Sequence, residues 1–98
     1  MKRTILILAT LTLTLPALAI DWPQWRGPNR DGVNPEKNLL DEWPAAGPKL
    51  LWRSEGLGAG FSSVSTSKGR LFTKGDGKES SHVCCLSVKD GSKIWISK

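Results

Sequence analysis

Cys85-Leu86-Ser87-Val88-Lys89-Asp90-Gly91-Ser92-Lys93-Ile94-Trp95 decides the fold. An apolar run enters Asp90-Gly91, a hairpin-turn pair, and a second run leaves it to end on a tryptophan four residues after the glycine. Working outward, His82 to Val88 reads as an apolar strand and Ser92 to Ile96 as its return. Upstream, Arg70 to Lys74 carries Leu71 and Phe72, and Gly75-Asp76-Gly77-Lys78-Glu79-Ser80 is a polar hairpin loop. Phe61 to Thr66 alternates: Phe61, Ser63 and Ser65 lie on one face and Ser62, Val64 and Thr66 on the other. Ser67-Lys68-Gly69 turns that strand back, so four strands in 36 residues form an up-and-down antiparallel meander. A further short strand, Leu50 to Ser54, precedes the glycine-rich link Gly56-Leu57-Gly58-Ala59-Gly60.

The strand His82 to Val88 has apolar residues on both faces: His82, Cys84 and Leu86 point one way, Val83 and Cys85 the other. A lone four-stranded sheet buries one face at most. At ~25 cal/mol per Å² a wet second face forfeits several kcal/mol, comparable to the whole stability of a small domain. Trp52 and Trp95 lie 43 residues apart, and four short strands per ~40–45 residues is the period of a β-propeller blade. In a propeller each blade packs between two neighbours, so two apolar faces are expected there. The fold class expected is all-β: a single four-stranded antiparallel blade over residues 49–98 together with the closing strand Leu50 to Ser54, an incomplete domain.

Residues 1–19 read as a signal peptide. Lys2 and Arg3 open it, Thr4 to Leu15 is apolar apart from threonines, and Pro16 precedes the cleavage pattern Ala17-Leu18-Ala19. Thr4 to Ile20 is 17 residues broken by four threonines and a proline, short of the roughly 20 apolar residues a span needs. Cleavage after Ala19 leaves 79 residues beginning Ile20-Asp21, with no stable membrane span and no cysteine to lipidate. The protein is expected to be exported, to a periplasm or the medium.

Without Lys2 and Arg3 the formal charge falls from +5 to +3. The remaining lysines (37, 49, 68, 74, 78, 89, 93, 98) flank turns rather than cluster, so nucleic acid is not an expected partner. Cys84 and Cys85 are adjacent, point to opposite faces of a strand, and read as two buried thiols. No disulfide framework compensates for the small size of the chain.

Residues 20–48 are rich in Pro, Gly, Asn, Asp and Trp without a sustained period. Pro23, Pro28, Pro35, Pro44 and Pro48 favour extended backbone, with at most a turn of helix from Pro35 to Leu40. The segment reads as an ordered, extended arm whose tryptophans, Trp22, Trp25 and Trp43, need a surface to lie on.

Cys85 to Trp95 resembles the tryptophan-docking repeat of quinoprotein-type, pyrroloquinoline-quinone-like eight-bladed propellers. Gly91 and Trp95 match that repeat and Cys85 stands for its small alanine. Ser87 replaces the usual aspartate and Asp90 the usual threonine, so the turn must make its side-chain hydrogen bonds differently. Asp21-Trp22-Pro23-Gln24-Trp25-Arg26-Gly27-Pro28-Asn29-Arg30-Asp31-Gly32, Trp43-Pro44 and Gly47-Pro48-Lys49-Leu50-Leu51-Trp52 resemble the opening of secreted bacterial propellers of the same group. The resemblance implies a ring of about eight blades, of which this chain is an N-terminal part. It also implies a structural docking motif in Gly91, Trp95 and Trp52, each ring wedged between blades with its N–H on a carbonyl.

The chemistry-bearing residues are sparse. His82, the sole histidine, shares a face with Cys84, two ligands where zinc usually takes three or four, so no metal residue is assigned. Asp76 and Glu79 sit in a polar loop, Ser62, Ser63 and Ser65 have no partnering base, and Gly56 to Gly60 lacks the Lys-Ser/Thr of a phosphate loop. No catalytic or cofactor-binding residue is assigned. Trp22, Trp25 and Arg26 are a possible binding arm; the alternative is that the tryptophans clamp the arm to the sheet and the arginines bond its carbonyls.

Three functions stay open. The first is a noncatalytic binding or scaffold propeller whose partners are the remaining blades or another protein. The second is a quinoprotein dehydrogenase, in which pyrroloquinoline quinone and calcium enter only with the full-length protein. The third is a small secreted module that binds through its tryptophan arm. Fold alone warrants none of them.

Overall fold

The computed structural model describes residues 19–97, so the expected leader lies, apart from Ala19, outside the described residues. Among these there is no helix, including around Pro35 to Leu40. Four strands, β1 (Ser65–Ser67), β2 (Arg70–Asp76), β3 (Ser81–Ser87) and β4 (Lys93–Ile96), form one open antiparallel sheet in chain order.

Turn chemistry sets this order. Ser67 pairs with Arg70 across Lys68 and Gly69, whose φ angles of 49° and 75° are both left-handed. A two-residue turn of that kind matches the twist of the flanking strands. Between β2 and β3 the polar loop is closed by the Gly77 amide donating to the Ser80 carbonyl at 2.9 Å. The Gly91 amide donates to Ser87 O, and the Ser87 amide to Ser92 O, each at 2.9 Å, closing the last turn.

The core lies at the middle of β3. Cys84 and Cys85 are 0% exposed and Leu86 1%, three consecutive residues buried on alternating faces. On one face the register aligns Phe72, Cys85 and Trp95 in a row across three strands. Cys85 is small enough for the rings of Phe72 and Trp95 to meet over it, centroids 6.1 Å apart and planes tilted by 52°. Such a pair contributes ~0.5–1.5 kcal/mol beyond the area it buries. A register shift between Cys85 and Leu86 leaves Ile94 as an extra residue on β4. A bulge of this kind re-aims the side chain that follows it, here Trp95. Both cysteines are free thiols.

Three strand expectations need correction. Leu50 to Ser54 joins no ladder: Leu50 and Leu51 are exposed, while Trp52 and Ser54 are partly drawn in. Its apolar alternation has no partner strand, because the segment crosses the β3–β4 turn instead of running along an edge. The strand expected from Phe61 to Thr66 is regular only from Ser65, and Phe61 is fully exposed. Ala59 bridges Asp76 and Ser65 pairs with Phe72, so between these pairs five residues on one side oppose three on the other. The surplus loops out, and Ser62 Oγ replaces a ladder carbonyl for the Lys74 amide at 3.2 Å. Finally, β2 runs on through Gly75 and Asp76, which read as loop. Gly75 is buried because the Leu57 carbonyl passes over it: a β-carbon there would lie 1.7 Å from that oxygen. The glycine marks a close backbone approach and not a turn.

Candidate functional site

Of the three residues Gly91, Trp95 and Trp52, the structure brings Trp52 and Gly91 together and places Trp95 apart from them. The Trp52 indole lies flat on the β3–β4 turn, where a β-carbon on Gly91 would come within 2.4 Å of its ring. Its Nε1–H donates to the Val88 carbonyl at 2.8 Å. Gly91 has φ +72°, so the turn needs glycine twice over, for its backbone and for the ring above it. Asp90 accepts from the Ser92 amide at 3.0 Å and from its hydroxyl at 2.7 Å, while Ser87 Oγ accepts from the Lys89 amide at 3.3 Å. These are the substitute side-chain bonds that Asp90 and Ser87 bring to the turn. The Ser92 hydroxyl, then the Ser92 amide, holds the Asp90 carboxyl below its ordinary value. Trp95 takes the other place: it stands over Cys85 beside Phe72, and 44% of it is exposed.

The arm residues separate. Trp22 adds itself to the outer edge of β1, its carbonyl accepting from the Thr66 amide at 2.8 Å and its amide donating to Thr66 Oγ1 at 3.0 Å. Its ring covers Gly27, where a β-carbon would meet it at 2.6 Å. Trp25 is 72% exposed and Trp43 nearly as much, so neither finds the surface expected for it. Arg26 and Arg30 occupy left-handed backbone at φ 63° and 55°, in a tight turn closed by the Gly32 amide on the Arg26 carbonyl at 2.8 Å. Their guanidiniums bond within the turn, Arg26 to the Asp31 carbonyl at 3.4 Å and Arg30 to Gln24 Oε1 at 3.1 Å. An open cleft of about 580 Å³ is lined by Trp22, Trp25, Arg26, Ser62, Ser63 and Val64.

The other candidates are engaged in local structural contacts. His82 Nε2 lies 3.1 Å from the Leu57 carbonyl, and the Cys84 thiol approaches the same oxygen at 3.9 Å. Asp76 pairs with Lys74 Nζ at 3.1 Å and accepts from Ser81 Oγ. The Ser81 hydroxyl and then Lys74 lower its carboxyl below the ordinary value. Glu79 makes no part of that cluster. No three His, Cys, Asp or Glu side chains that could hold a metal ion converge among the described residues.

Sequence reasoning missed the start of the arm. The Ile20 amide donates to Glu36 Oε1 at 2.6 Å, and Asp21 accepts from the Lys68 amide at 3.0 Å. Glu36 lies in a Pro-rich stretch where only the Asn34-x-Glu36 spacing hints at a local cap. No family model, no curated protein and no solved structure matches this chain.

Proposed function

We propose that this chain contributes an extended arm and one four-stranded sector to an exported β-propeller of the pyrroloquinoline-quinone-like type, whose role is binding or scaffolding rather than catalysis. The observation that carries the reading is the seat of Trp52: a flat indole on Gly91 with its N–H on the Val88 carbonyl. Trp95 lies 43 residues further on, four residues after Gly91, a spacing that matches the period of a propeller blade. Its half-exposed ring and the exposed Ile94 and Ile96 beside it supply an apolar surface for the next sector. The binding reading is favoured because His82, Asp76 and Asp90 each bond to backbone or to a neighbouring side chain that fixes a turn.

The test is to isolate the exported polypeptide that contains this sequence from its own cell. A mass of several such units, and no dye reduction with alcohols or sugars after adding quinone and calcium, is expected. Quinone-dependent dye reduction would place the chain in a dehydrogenase. Cooperative, monomeric unfolding of an isolated 79-residue product would favour the small secreted module.

A further inference from the structure

The first residues after the expected cleavage point are pinned one after another. Ile20 donates its amide to Glu36 Oε1 at 2.6 Å, Asp21 takes the Lys68 amide at 3.0 Å, and Trp22 exchanges backbone bonds with Thr66. Glu36 is itself held in place: its amide donates to Asn34 Oδ1 at 2.9 Å, and its second oxygen accepts from Asn34 Nδ2 at 3.4 Å. The cleft around Ile20 has two ionisable side chains, Asp21 and Glu36. Asp21 is already engaged with Lys68 and Ser67, so Glu36 is the carboxylate that meets the Ile20 nitrogen.

In the uncut chain that nitrogen is a neutral amide. Hydrolysis of the Ala19–Ile20 bond adds water across it, leaving a carboxylate on Ala19 and an α-ammonium on Ile20. We propose that this new ammonium pairs with Glu36, so that removal of the leader fastens the arm to the sheet edge through a charged bond absent from the precursor. The inference rests on the leader reading of residues 1–19. A charge-assisted N–H···O bond is about twice as strong as a neutral one. A carboxylate within ~4–6 Å also favours the protonated amine.

The experiment uses the full 98-residue chain, exported from a bacterium and recovered after processing. Mass spectrometry identifies the first residue, expected to be Ile20. The rate of acetylation of that α-amine at neutral pH is then compared between the natural chain and Glu36→Gln. Pairing with the carboxylate keeps the amine protonated and unreactive, so the natural chain should react at least about threefold more slowly than Glu36→Gln. In about 1 M salt, where screening acts within ~3 Å, the natural rate should rise toward that of Glu36→Gln, and the variant's rate should not change. The salt response separates an ion pair from simple unfolding of the variant. Equal rates, or a natural rate indifferent to salt, would overturn the pair while the leader reading stands. A first residue other than Ile20 overturns it through the leader.

Discussion

The indole of Trp52 sits on Gly91 so closely that no side chain fits between them, and its N–H reaches past the turn to the Val88 carbonyl at 2.8 Å. Trp52 and Gly91 lie 39 positions apart, yet this contact is what ties the irregular Leu50 to Ser54 segment to the sheet. A ring stacked on a peptide plane needs the plane bare, and a bare plane with φ +72° needs glycine.

Gly91→Ala should therefore be costlier than Gly69→Ala. Both glycines have left-handed φ, 72° and 75°, but nothing lies within 4 Å of a β-carbon on Gly69. Gly69→Ala should cost only the backbone term, ~1–2 kcal/mol. Gly91→Ala must also lift Trp52, adding ~1–3 kcal/mol of overpacking. Urea midpoints of the two variants in the exported protein measure the difference, and Trp52→Ala should remove most of it, since the clash disappears with the ring.

Gly75 gives a comparison with the opposite balance. Its φ is not left-handed, so alanine meets no backbone strain there, but the Leu57 carbonyl is 1.7 Å from the β-carbon position. Both collision partners are backbone, and neither can swing away. Gly75→Ala should cost ~3 kcal/mol or more, at the upper end for overpacking. It should also pull the Leu57 carbonyl off His82, visible as a shifted imidazole resonance by NMR.

These contacts show which parts of the fold are readable in the sequence. Asp90-Gly91 and the apolar run before it are local signals, and the β3–β4 hairpin follows from them within a residue or two. The alternation of Phe61 to Thr66 is just as local, but two surplus residues opposite β2 throw most of it out of the ladder. Gly75-Asp76-Gly77 has the composition of a turn, and only the non-local passage of Leu57 shows that Gly75 belongs to a strand. The site divides the same way. The repeat spacing links Trp52 to Trp95, but the seat of Trp52 on Gly91 and the bond of Ile20 to Glu36 are both non-local contacts that leave no pattern in the residue order.

Acid should loosen the last turn. The Asp90 carboxyl titrates below its ordinary 3.8 because the ionised form accepts two bonds from Ser92. A depressed folded-state pKa contributes stability that is present above the unfolded value and lost as pH falls through the folded one. Stability should thus hold near neutrality and decline below about pH 4, with Asp76, lowered by Ser81 and Lys74, contributing the same sign. Asp90→Asn, which keeps an acceptor but no charge, should flatten part of that acid limb. Thermal midpoints between about pH 2 and 7 measure both slopes; a limb unchanged in Asp90→Asn would locate it elsewhere.

Trp22 and Trp25 should differ sharply although only two residues part them. Trp22 is half-buried, closes over Gly27 and sits in a residue whose backbone pairs with β1. Trp22→Ala uncovers that glycine and should cost ~2–3 kcal/mol, somewhat below the range for a fully buried tryptophan. Trp25 is 72% exposed and makes no aromatic contact among the described residues, so Trp25→Ala should lie within ~0.5 kcal/mol of the natural chain. Tryptophan emission supplies a second readout, because removing Trp25 deletes a wet, red-shifted contribution and removing Trp22 a shielded one. A large loss of stability in Trp25→Ala would mean that another surface of the assembled protein covers that ring, the outcome a propeller partner packed on the arm would produce.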